Sequence, residues 1–155
     1  MQKLAAIEII FRAIPEGFLY MFGFYTFTKT RFNIKRYIIS SILGGGLIGV
    51  IRALPISYGI HTILLIISLA ALSIFVNKID TIKSIQAGIL VFASMFICEA
   101  INVLLIYSVF RKDMNYIFSD PKLKIIYGLP SLIVLGGYLG WYYRKLSKRK
   151  ELHSV

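Results

Sequence analysis

Apolar residues along this chain run in long unbroken stretches, and polar residues gather in the short gaps between them. Five stretches cover residues 4–27, 37–54, 60–76, 85–109 and 125–143. A bilayer core of roughly 30 Å takes about 20 apolar residues as helix, and each stretch comes close to that length. The runs are continuous, whereas a membrane barrel strand would alternate apolar and polar positions over about 10 residues. The expectation is an all-α, polytopic transmembrane bundle of five helices, forming one domain over residues 1–155, with a short basic tail at residues 144–155. No connection is long enough for a separate folded domain outside the membrane. No internal repeat or low-complexity segment interrupts the pattern.

Composition agrees with this picture. Of 155 residues, 57% are hydrophobic and only 16% charged, and the mean hydropathy is +0.75, whereas an ordinary soluble domain is half apolar or less. The few charges are biased, with Lys+Arg 18 against Asp+Glu 7 and a net charge of +11. Basic clusters can mark nucleic-acid binders. Here they sit between apolar runs, where positive charge orients membrane helices, so nucleic acid is not an expected partner and the bilayer is. With an external amino terminus, Lys29, Arg31, Lys35, Arg36, Lys78, Lys83, Arg144, Lys145, Lys148, Arg149 and Lys150 lie inside, eleven in all. Lys3, Arg52, Arg111, Lys112, Lys122 and Lys124, six in all, lie outside. The bias predicts a cytoplasmic-membrane protein with its amino terminus outside and its tail in the cytoplasm.

The first run follows a short basic start, as a secretory signal does, but Glu8, Arg12 and Glu16 interrupt it. A signal core is uninterrupted and ends in a small-residue cleavage site. The first span is therefore expected to stay in place as one helix, kinked near Pro15 and Gly17.

A charge at mid-bilayer costs at least ~2.5–3.5 kcal/mol on insertion scales, so each one needs a partner, water or a function. Glu8, Arg12 and Glu16 recur at four-residue spacing and share one helix face. At ~1.5 Å per residue, Arg12 lies ~12 Å from the outer end of its helix and Glu99 ~15 Å from the outer end of the fourth. Matching depth predicts an Arg12–Glu99 tie, with Glu8 and Glu16 left to protonation, water or a ligand. The alternatives are a structural ion pair and a site that handles a ligand or proton. Met95, Cys98, Glu99 and Asn102 form a stripe that should face protein or water. Cys98 reads as a packed thiol, His61 as a capping or interfacial side chain at the outer mouth, and Arg52 as snorkelling to the headgroups. The candidate ligand or ion-pair residues are thus Glu8, Arg12, Glu16, Arg52, His61, Glu99 and Asn102. Glycines four apart at Gly45 and Gly49, and at Gly136 and Gly140, mark faces for close helix contact, within the chain or in a homo-oligomer.

The chain carries no phosphate-binding Gly-Lys-Ser/Thr loop, no His-Glu-x-x-His and no nucleophile elbow. The single cysteine excludes a disulfide framework and a Cys-based metal cluster. No enzyme activity and no cofactor are expected.

Three segments carry a resemblance: Ile14-Pro15-Glu16-Gly17-Phe18; Phe27-Thr28-Lys29-Thr30 with Ile38-Ile39-Ser40-Ser41; and Arg52-Ala53-Leu54-Pro55-Ile56 followed by Gly59-Ile60-His61-Thr62. Over residues 10–110 the chain resembles the amino-terminal membrane module of Agr-type (GHKL) sensor histidine kinases of Gram-positive bacteria. The resemblance implies a multi-helix module that receives an external peptide signal, with Arg52, His61, Glu8 and Arg12 nearest the receptor pocket by depth. In that family a cytoplasmic kinase region follows the last helix. The eleven residues after Arg144 hold neither its dimerisation helices nor its ATP-binding domain. The expected function is a non-enzymatic sensor or regulatory protein acting through a partner membrane protein, such as a histidine kinase. A degenerate remnant and an unrelated membrane protein of similar composition stay open. The rival class is transport: a small permease or the substrate-binding membrane subunit of a transporter, with Glu16, Glu99 and Asn102 at a midplane site.

Overall fold

The computed structural model describes residues 7, 9–110, 119 and 121–154. Among the described residues five α-helices have defined bounds: α1 Ile14–Phe27, α2 Ile34–Ala53, α3 Tyr58–Phe75, α4 Thr81–Leu105 and α5 Pro121–Lys148. A π-helical turn, Ile9–Ala13, leads into α1, and a second, Ile106–Phe110, extends α4. The described residues form no sheet; an isolated parallel bridge joins Thr30 to His153. The fold is all-α, as the continuous apolar runs predict.

Local chemistry sets the ends of the helices. Asn33 caps α2, accepting from the Arg36 N–H at 3.3 Å, and Asp80 caps α4, accepting from Ile82 and Lys83 at 3.1 and 3.3 Å, which satisfies amides that have no partner in the first turn. Beyond α1, α3 and α5 the chain turns through Lys29, Lys78 and Lys150, with φ of 54°, 55° and 55°. A side chain in this left-handed region costs roughly 1–2 kcal/mol. Lysine there puts a cation beside the negative end of the helix dipole. Next to the Pro15 and Gly17 positions the helix is irregular in the π turn before α1, and Pro15 occupies the first turn of α1, a position that proline favours.

Central helix α1 packs on all four others. Met21, Phe24, Ile48, Leu69, Val91, Leu135 and Leu139 fill the buried core. The α1–α2 crossing is close because both helices carry glycine there. A Cβ on Gly17 would stand 2.5 Å from the Gly45 amide nitrogen and 2.7 Å from the Ser41 carbonyl oxygen, and one on Gly45 would stand 2.9 Å from the Ile14 Cα. The first glycine cluster therefore packs inside the chain. Gly46, Gly137 and Gly140 meet nothing within 4 Å.

Around this apolar core several polar side chains are buried and many large apolar ones are exposed. Glu16, Ser40, Ser41, Ser73, Asn77, Ser84 and Ser131 are buried, while Ile63, Ile67, Phe75, Ile82, Phe96, Leu104 and Ile133 are exposed. Among the described residues two helices, Ile34–Ala53 and Thr81–Ser108, are long and apolar enough to cross a membrane, and Gly59–Phe75 is a shorter apolar helix. Only 22% of the most apolar window of the α4 segment is buried.

Candidate functional site

Two polar clusters lie at opposite ends of the bundle. At the first, α1 and α2 run antiparallel, and their crossing at Gly17 and Gly45 brings the first turn of α1 beside the last turn of α2. The Arg52 guanidinium there meets Glu16 with both arms, Nη1 donating to Oε2 at 2.7 Å and Nη2 to Oε1 at 2.6 Å. Tyr20, one turn along α1, donates its hydroxyl to Oε1 at 2.6 Å. Glu16 is 0% exposed, whereas the Arg52 side chain is 38% exposed. A carboxylate in an apolar interior is tolerated when it is paired and its lone pairs are satisfied, and this arrangement meets both conditions. The bidentate fork also fixes the geometry more tightly than a single contact does.

Arg12, carried on the π turn, faces Glu99 of α4 at 3.8 Å, with side chains 16% and 40% exposed. Its guanidinium rests against Gly128 of α5, where a Cβ would stand 3.5 Å from Cζ. Asn102, one turn beyond Glu99, donates to the Tyr127 carbonyl at 2.6 Å. Arg12, Glu99 and Asn102 thus tie the start of the chain, α4 and α5 together.

Arg12 and Glu99 do face each other, as their matching depth predicts; the structure differs from expectation at Glu16 and Arg52. Arg52 turns inward onto Glu16 instead of snorkelling, and Glu16 is sealed instead of being left to water or a ligand. Depth locates a charge along the bundle axis, but the choice of partner depends on how each helix is rotated. The α1–α2 crossing turns Glu16 towards α2, and this pairing had no signal in the spacing of charges. His61 is half-buried in the first turn of α3. Glu8 lies outside the described residues.

At the opposite end, Asn77 after α3 is 1% exposed. It accepts from the Tyr25 hydroxyl at 2.9 Å and donates to Ser40 Oγ at 3.2 Å, linking α1, α2 and the α3–α4 connection. The sequence reading missed this cluster, although an asparagine directly after an apolar run is a visible signal. The tail folds onto the same end: Arg31 donates its N–H to the His153 carbonyl at 2.8 Å, and His153 donates to the Lys29 carbonyl at 2.7 Å. Lys29 Nζ lies 2.9 Å from Glu151 Oε2. These groups are exposed; the pairing raises the Lys29 amine above its ordinary range and lowers the Glu151 carboxyl. A cleft of about 160 Å³ opens beside them, lined in part by Arg31, Asn33, Arg36 and Asn77.

Among the described residues, no three His, Cys, Asp or Glu side chains gather as a metal set. No family model, curated protein or solved structure matches this chain.

Proposed function

We propose that the chain is a non-enzymatic, five-span protein of the cytoplasmic membrane that senses an external ligand and signals through a partner membrane protein. Polar groups inside and large apolar side chains outside support membrane embedding, because a surface facing lipid needs no polar cover. The eleven basic residues by the 28–33 and 77–80 connections and in the tail support an amino terminus outside and a cytoplasmic tail.

The observation that carries the sensor reading is the uneven burial of the Glu16–Arg52 pair. Glu16 is sealed, and its counter-charge at the outward end of α2 is partly open. An external anionic group that takes Arg52 leaves Glu16 as an uncompensated buried charge. Ligand binding and α1–α2 packing are then linked, as a population shift requires. The resemblance to Agr-type kinase sensor modules supports the same class, with a histidine kinase as the expected partner and a second copy of the chain as a further one.

Crosslinking and affinity purification from native membranes test the proposal, comparing wild type with Arg52→Gln. A membrane partner retained by wild type and altered in Arg52→Gln is the expected result. No partner, together with no shift in thermal stability on adding the external medium, overturns it. Transport is the second reading, favoured by the partly open carboxylate of Glu99 beside Asn102. Flux in proteoliposomes that is lost in Glu99→Gln would establish it in place of the sensor.

A further inference from the structure

The cleft at the end opposite Glu16 has a composition that the sensor reading does not use. Arg31, Asn33, Arg36 and Ser154 line it, together with the buried Tyr25 and Asn77. No carboxylate among the described residues lies within 4 Å of either arginine. The nearby acids are otherwise engaged: Asp80 caps α4, and Glu151 is held by Lys29, with Arg149 at 4.0 Å. The volume of about 160 Å³ is roughly tenfold what one water needs. The first turn of α2 opens on the same cleft and adds the positive end of its dipole.

We propose that this cleft binds a phosphate group, with Arg31 and Arg36 as its cationic ligands and Asn33 as a neutral donor. Arginine suits this role because its planar fork matches two phosphate oxygens at once. The basic end of the bundle concentrates such anions whether they are lipid headgroups or soluble phosphates. The inference is independent of the sensor reading, since it concerns a different end of the molecule and needs no partner protein.

The test uses the full chain and two probes. In nanodiscs of equal phosphatidylglycerol and phosphatidylcholine, native mass spectrometry reads which lipid is retained; in detergent, inorganic phosphate is titrated against thermal stability. Asn33→Asp is the key variant, because aspartate caps a helix as well as asparagine while placing a negative charge in the cleft. Arg31→Gln/Arg36→Gln removes the cations, and Lys148→Gln/Arg149→Gln lowers the surface charge outside it. Expected is a loss of at least about tenfold in affinity in the first two variants, which corresponds to about 1.4 kcal/mol, with the third close to wild type. Selective retention of phosphatidylglycerol identifies a headgroup site, and saturable stabilisation by inorganic phosphate identifies a soluble one. Binding of neither probe, or equal losses in all three variants, overturns the proposal.

Discussion

Arg52 in the last turn of α2 holds both carboxylate oxygens of Glu16, 36 residues earlier in the chain, at 2.6 and 2.7 Å. Removing one member of such a pair leaves the other buried without compensation, at a cost of about 3–5 kcal/mol. Arg52→Ala is expected near the lower end of that range, because water reaches the guanidinium. Glu16→Leu/Arg52→Leu should cost less than the two single changes combined. Thermal unfolding in detergent measures the cycle, and additive losses would exclude the tie.

The Arg12–Glu99 contact is longer, and Glu99 is partly open. Its coupling should resemble that of an exposed pair, at most about 1 kcal/mol. Arg12→Ala is therefore expected to destabilise less than Arg52→Ala. The opposite ranking in the same unfolding assay would make Arg12 the principal tie.

Gly17 and Gly45 leave no room for a methyl group between backbones. Gly17→Ala or Gly45→Ala should cost at least ~1–3 kcal/mol, the range for overpacking. Gly46→Ala and Gly137→Ala, which add a methyl where nothing lies within 4 Å, should be neutral or stabilising by up to ~0.5–1 kcal/mol. Equal melting temperatures for Gly17→Ala and Gly46→Ala would contradict the close crossing.

Asn77 serves Tyr25 and Ser40 together. Asn77→Leu strands the Tyr25 hydroxyl and takes one donor from Ser40, which keeps its bond to the Tyr37 carbonyl, and should cost about 1–3 kcal/mol. Tyr25→Phe leaves the buried Asn77 Oδ1 without its donor and should cost about 1–2 kcal/mol, towards the lower end of that range. Denaturant unfolding midpoints would reveal a reversed order.

Tail docking should depend on pH. Glu151 is lowered by Lys29, so its contribution is present above the ordinary glutamate value, near 4.3, and is lost as pH falls through the lowered value. Lys29 is raised by Glu151, so its contribution is present below the ordinary lysine value, near 10.4, and is lost as pH rises through the raised value. Protection of the Arg31 and His153 amides, read by NMR, should hold across the neutral range, fall in acid and weaken in high salt. In Glu151→Gln the acid limb should disappear.

The sequence by itself determined that the chain is helical. Each helix follows its own apolar run, so local composition contains it. The caps Asn33 and Asp80 are local as well, each bonding to amides two or three residues away, although the sequence reading did not single them out. The pairing of charges was settled in three dimensions. Arg12, Arg52, Glu16 and Glu99 lie at positions along the bundle axis that permit more than one match. The selection came from the rotation of α1 against α2, set by the backbone contact of Gly17 with Gly45. That contact is between residues 28 apart, and the periodicity of a single helix cannot specify the azimuth at which it meets another. The cationic cleft has the same origin: Arg31 and Arg36 are local to one turn, but Asn77 and Ser154 reach it only when α3 and the tail fold onto the same end.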